Sequence, residues 1–218
     1  GVVVSTITEF PFASSSGSVD QGNLTTAKTY SAGHAMETHG FTSSGQPGTS
    51  NVINKYAFYS GADANDHGDM TRSTRSPGGH SSSTHGFTSG GYPNVNVIDT
   101  FPFAAPSGSV DHGDLAIVHH AFSSTSSTTH GYTAGGYGPV APAWHNSINK
   151  FAFASNTTAA DHGDLVGGSR ASNAGQSSTT HGYSCGGTTQ GGALQNSIEK
   201  YSYTSSSGSV DHGDLTVS

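Results

Sequence analysis

The run Asn51-Val52-Ile53-Asn54-Lys55-Tyr56-Ala57-Phe58 alternates with a period of two, yet its apolar residues occupy both parities. Val52, Tyr56 and Phe58 fall on one side, Ile53 and Ala57 on the other. A strand with one solvated face leaves one parity polar, so this pattern predicts a strand buried on both faces. The run is short and bounded by Gly, Ser, Asn or Asp, which favours strand over helix. The same segment begins again at Ile7, Ile98, Ile148 and Ile198, and successive copies lie 46, 45, 50 and 50 residues apart. A period of that length marks a repeat architecture.

Two further motifs recur in step. One is Asp-His-Gly-Asp, at Asp66, Asp111, Asp161 and Asp211, with a worn first copy Asp20-Gln21-Gly22-Asn23. The other is Thr-His-Gly-aromatic, at Thr38, Thr84, Thr129 and Thr180. A glycine pair follows it at Gly90-Gly91, Gly135-Gly136 and Gly186-Gly187, degraded to Ser44-Gly45 in the first copy. Units of 45–50 residues with about four short strands and two apolar faces predict the blades of a β-propeller, which stack around an axis. A β-helix is the competing architecture, but its rungs are shorter than this period. With no shift in composition, residues 1–218 read as a single repeat domain with repeat starts near Ile7, Ile53, Ile98, Ile148 and Ile198. The valine-rich lead Gly1 to Thr6 is expected to add a strand ahead of the first repeat.

The glycine pair closing a second strand, and aromatic third strands at Tyr56/Phe58, Phe101/Phe103, Phe151/Phe153 and Tyr201/Tyr203, resemble kelch-type repeats. The blade tryptophan of that family is missing, since Trp144 lies outside the repeated positions. Taken together, Ile-x-Lys-Phe-x-Phe, Asp-x-Gly-Asp-Leu and His-Gly-Tyr-x-x-Gly-Gly resemble more closely the kelch-like repeats of virion structural proteins of aquatic bacteriophages. The resemblance implies an all-β, kelch-like β-propeller of four to five blades. Five isoleucine segments stand against four Thr-His-Gly motifs. A five-bladed ring therefore leaves its first blade short of inner strands, unless Val2 to Thr6 supplies one. A four-bladed ring leaves a pair spare, and a neighbouring subunit is a third way to complete it. Five blades are favoured.

Composition enters here because it bears on whether such a chain folds. Only 10% of residues are charged and 31% hydrophobic, a balance that raises disorder. Against it, 10 Phe, 9 Tyr and 1 Trp fall largely in register with the repeat, which implies a core. The 36 Ser and 25 Thr favour turns and strands over helix interiors. A net charge of −7 argues against nucleic-acid capture, which needs Lys and Arg against phosphates. One cysteine, Cys185, excludes an internal disulfide framework. No run approaches the ~18 apolar residues of a membrane span. The chain opens on Gly1 without methionine or a visible secretory signal, which reads as a processed or truncated start.

Thirteen histidines beside seven Lys and Arg invite a metal reading. The spacing, however, is that of the repeat and not of one site. The expectation is a structural hydrogen-bonding network of His39, Asp66, His67, Asp69, His85, Asp111, His112, Asp114, His130, Asp161, His162, Asp164, His181, Asp211, His212 and Asp214. In it, an Asp carboxylate accepts from a ring nitrogen and from turn amides, and the intervening Gly takes positive φ. Gln21 and Asn23 in the worn copy keep hydrogen bonding but lose ligand character. No metal or cofactor is expected, and no phosphate loop or zinc motif is present. A kelch-type copper oxidase needs a cysteine beside an aromatic ring, for which Cys185 near Tyr183 is a poor stand-in.

Binding is the better-supported role. The loop Tyr137 to His145 is longer than its counterpart before Ile98 and carries Tyr137, Trp144 and His145. It suits sugar stacking or a protein contact. The resemblance, together with low charge and richness in Ser, Thr and Gly, implies a non-enzymatic structural or attachment protein of a phage virion or an extracellular filament. Its expected partners are other copies of itself, other virion or filament proteins, or cell-surface glycans. A carbohydrate-binding module acting through Trp144 is the alternative.

Overall fold

The computed structural model describes residues 3–216, and among them it contains 18 strands and no helix. An N-terminal pair joins β1 (Thr6–Glu9) to β2 (Val19–Asn23). Four four-stranded antiparallel sheets follow, each a meander of consecutive strands. Sheet I holds β3 (Ala32–Ala35), β4 (His39–Ser43), β5 (Ser50–Ala57) and β6 (Asn65–Thr74). Sheet II holds β7 (Gly78–Ser81), β8 (His85–Ser89), β9 (Val97–Pro102) and β10 (Val110–Asp114). Sheet III holds β11 (Ser123–Ser126), β12 (His130–Ala134), β13 (Ser147–Ala152) and β14 (Ala160–Asp164). Sheet IV holds β15 (Ala174–Ser177), β16 (His181–Cys185), β17 (Ser197–Ser202) and β18 (Ser209–Asp214).

The repeat motifs map onto fixed places in this plan. Thr-His-Gly-aromatic opens the second strand, the isoleucine segment forms the third, and Asp-x-Gly lies in the fourth. Among the described residues, the expected extra strand at the start does not form. Gly1 and Val2 lie outside the described residues, and β1 begins only at Thr6. The preceding backbone is engaged otherwise: Leu24 N–H donates to Ser5 O at 2.7 Å and Lys28 N–H to Val4 O at 3.2 Å.

Two glycines are dictated by close approach. In the second strand, Gly40, Gly86, Gly131 and Gly182 stand opposite Tyr56, Phe101, Phe151 and Tyr201 of the third. A Cβ on any of them would overlap that ring, so the Gly of Thr-His-Gly is space for the neighbouring aromatic. In the fourth strand, Gly68 and Gly113 have φ of 123° and 120° and sit at a shift of register against the third strand. A bulge with a left-handed glycine has this form.

The hydrophobic interior is not one core but three, each between consecutive sheets. Phe41, Ile53 and Met70 of sheet I pack with Phe101 and, just beyond β9, Phe103. Phe87, Ile98 and Leu115 pack with Phe122, Phe151 and Ala159. Tyr132, Ala134, Ile148 and Leu165 pack with Tyr201 and Tyr203. The third strands of sheets II and III are consequently covered on both faces, as their two-parity pattern requires; Ile53, Ile98 and Ile148 are fully buried, and Ile198 of sheet IV is half-buried. First strands also touch in series, β3 on β7, β7 on β11 and β11 on β15. No helix among the described residues is long and apolar enough to cross a membrane.

Candidate functional site

Each sheet-to-sheet contact is built from the same parts. The aromatic of one second strand stacks on the last aromatic of the next third-strand segment: Phe41 on Phe103 at 4.6 Å, Phe87 on Phe153 at 4.4 Å, Tyr132 on Tyr203 at 4.6 Å. The histidine of Asp-His-Gly-Asp packs against that aromatic, at 5.1, 4.9 and 5.1 Å for His67, His112 and His162. Its Nε2 then donates across the gap to a carbonyl of the next sheet: His67 to Pro102 O at 2.8 Å, His112 to Ala152 O at 2.9 Å, His162 to Ser202 O at 2.7 Å.

The aspartates do local work. The carboxylates of Asp66, Asp111, Asp161 and Asp211 accept from the amides of Gly68, Gly113, Gly163 and Gly213 at 2.7–3.0 Å, holding the bulge. Asp20 does the same for Gly22 at 2.8 Å in the worn copy. The ring nitrogens therefore go to neighbouring carbonyls and not to aspartate. Asp69, Asp164 and Asp214 are exposed and Asp114 is half-buried. The other histidines of the repeat, His39, His85, His130 and His181, each accept at Nδ1 from the hydroxyl of the preceding threonine at 2.8 Å. Burial, then the charge of Lys150, lowers the pKa of His130.

Two buried histidines that the motifs passed over matter more. His34 and His80, at one position of the first strand, donate from Nδ1 to His80 O and Thr125 O of the next sheet at 3.0 Å. Nε2 accepts from Ser43 and Ser89 hydroxyls at 2.9 Å, and the rings lie edge-on to Phe101 and Phe151 at 5.1 and 5.0 Å. Burial drives both pKa values down to about 4, so both rings are neutral donors near pH 7. Sheet III has Thr125 at that position, and its hydroxyl bonds Tyr201 Oη at 2.7 Å. The Tyr hydroxyl restores the reach that Thr lacks.

Another feature the repeat pattern did not disclose is the Arg170–Glu199 ion pair, in which both side chains are buried. Arg170 Nη1 also donates to Ser197 Oγ at 2.9 Å, while Glu199 accepts from Gly167 N at 3.1 Å and Ser209 Oγ at 2.6 Å. In the other sheets Asn54, Asp99 and Asn149 occupy the Glu199 position and are likewise buried. Asp99 accepts from Thr71 N and Oγ1 at 3.1 and 2.7 Å, and burial raises its pKa. A buried polar residue one place after the isoleucine was the available signal. Its partner stands 28 or 29 residues earlier, in the segment that follows the Asp-x-Gly motif of the preceding unit (Thr25 for Asn54, Thr71 for Asp99, Arg170 for Glu199), so local sequence does not reveal it.

The long loop takes a mixed form. Tyr137 is exposed, Trp144 and His145 are half-buried, and Tyr137 bridges both His120 and Trp144. His145 turns inward, its ring 6.0 Å from that of buried His119, whose pKa burial lowers to about 3. Tyr137 and Trp144 instead extend a row along the rim. The Arg75 guanidinium lies 4.3 Å over Tyr92, which is 5.7 Å from His120; His120 is 5.5 Å from Tyr137, itself 5.7 Å from Trp144. Beside this row, Tyr30, Gln46, Arg75, Ser76, Tyr92 and His120 line a recess of about 280 Å³.

Among the described residues no three His, Cys, Asp or Glu side chains converge as a metal site would require. Burial raises the Cys185 thiol pKa, which disfavours the nucleophilic thiolate. The arrangement can hold sheets together and present a polar aromatic rim. No protein-family model and no curated protein sequence matches the chain.

Proposed function

We propose that the chain is a non-enzymatic structural or attachment protein, built as a kelch-like β-propeller with the N-terminal pair as an incomplete fifth blade. On this reading it serves a phage virion or an extracellular filament. The observation that carries it is the use of the repeated chemistry. The stacked aromatics and the histidines of Asp-His-Gly-Asp at three successive contacts are consumed in joining one sheet to the next. A protein that spends its titratable repeat residues on architecture acts through its surfaces. Quantifying the chain in purified particles and fibres tests this. A fixed, high copy number is expected, and absence from every particle and fibre fraction would overturn it.

The rim row supports carbohydrate binding as the second reading. Exposed tyrosines beside Arg75, Gln46 and His120 offer stacking faces and hydrogen-bond donors together, as sugars require. Glycan-array binding that is lost in Trp144→Ala supports it; binding unchanged in that variant removes the loop's role.

A further inference from the structure

The sheet series is open at both ends, and the two ends carry complementary halves of one contact. Sheet IV presents what sheets I–III present to their successors. Tyr183 occupies the position of Phe41, Phe87 and Tyr132, with His212 packed 5.3 Å from it. Yet His212 is exposed, and a Cβ at Gly213 would find no atom within 4 Å. At the equivalent Gly22, Gly68 and Gly113 that Cβ would lie 2.6–2.9 Å from a carbonyl of the neighbouring sheet.

The N-terminal pair presents the other half. Phe10-Pro11-Phe12 repeats Phe101-Pro102-Phe103 residue for residue, but Phe12 is 98% exposed where Phe103 is 1% exposed. Phe10 is likewise exposed at 61%, against 0% for Phe101. The pair's other edge is engaged normally, with Asn23 N–H donating to Asp63 of sheet I at 2.8 Å. Exposed paired phenylalanines, on a chain whose other phenylalanines are buried or half-buried, mark an interaction surface.

We infer that these faces meet between two copies of the chain, the N-terminal pair of one docking head to tail on sheet IV of the next. This rests on the structural reading above and names the partner. The occupant follows from continuity with the contact made three times inside the chain. Phe12 stacks on Tyr183, His212 Nε2 donates to Pro11 O, and Gly213 receives the loop at Ser14–Gly17. Within one chain the faces do not meet, since Phe12 is bare. A contact between unlike faces is heterologous and propagates to a ring or a filament.

Sedimentation velocity tests this with two exposed substitutions, Phe12→Asp and His212→Glu, each disabling one face. Wild-type chain is expected to form species heavier than monomer as concentration rises. Each variant alone should raise the apparent dissociation constant by more than about tenfold, as loss of an interface anchor does. Mixed together, the variants keep one intact face each and should form one-to-one dimers. Wild type that stays monomeric throughout, or a mixture that stays monomeric while both variants keep the wild-type circular dichroism spectrum, overturns the inference. Neither result bears on copy number in particles, so failure of assembly and failure of the virion role are told apart.

Discussion

The contact between sheets I and II and the contact between sheets III and IV have the same geometry and different chemistry. Both stack their aromatics at 4.6 Å. The first is made of Phe41, Phe101, Phe103, Ile53 and Met70, with His34 as its buried polar link. The second is made of three tyrosines, Thr125 in place of the histidine, and the Arg170–Glu199 pair. Two of the three tyrosine hydroxyls are matched: Tyr132 Oη donates to Tyr203 O at 3.0 Å, and Tyr201 Oη bonds Thr125, while the buried Tyr203 Oη has no partner. The lesson is that stacking distance is set by backbone register, while the side chains need only fill the space and satisfy one another. Pairing Tyr201 with Thr125 avoids the cost of an unpartnered group at such a contact, about 1–3 kcal/mol.

That contrast can be broken most severely at the ion pair. Arg170→Met leaves the Glu199 carboxylate buried without its charge partner, and should destabilise the protein by about 3–5 kcal/mol in chemical denaturation. Adding Glu199→Asn, the residue type of sheets I and III at that position, should recover most of the loss. If the double variant is no more stable than the single, the charge is not the cause.

Acid should act on the other contact. His34 and His80 have folded pKa values of about 4, below the ordinary 6.5, so the unfolded chain binds more protons between those limits. Stability is therefore full above about pH 6.5 and is lost as pH falls toward 4, by roughly 3 kcal/mol for each ring. Hydrogen exchange at pH 5 should show contacts I–II and II–III opening before III–IV, where Thr125 does not titrate. His34→Gln and His80→Gln should make the acid limb of the stability profile shallower, leaving the part that buried His119 contributes.

The finest probe is Tyr201→Phe, which strands the Thr125 hydroxyl and should cost about 1–2 kcal/mol. Phe151 stands at the same position in sheet III, so Phe151→Tyr tests the reverse. It would press a hydroxyl toward His80, whose Nε2 is already occupied by Ser89. Both changes are read as shifts in thermal midpoint, and equal tolerance of the two would deny that Thr125 and Tyr201 act as a pair.

Much of this was legible along the chain. Apolar residues on both parities of Val52 to Phe58 required a strand covered twice, and Ile53 is indeed fully buried. The positive φ at the Asp-x-Gly glycine follows from the motif itself, since Asp readily caps an amide two residues on. The glycine of Thr-His-Gly was harder, because its reason is the ring of a residue on a different strand. The histidines were harder still. His67 belongs to a local motif, yet its partner is Pro102, 35 residues further on in the next sheet.

Short-range order of alternation and turns therefore stands in the amino-acid sequence alone: four-stranded units, their period, and which side chains face inward. The tertiary structure alone decided which identical motifs are core and which are surface. Phe12 and Phe103 sit in the same local sequence, and one is bare while the other is buried. Burial is a property of the neighbour, and a repeat encodes its own two faces without encoding what stands against them.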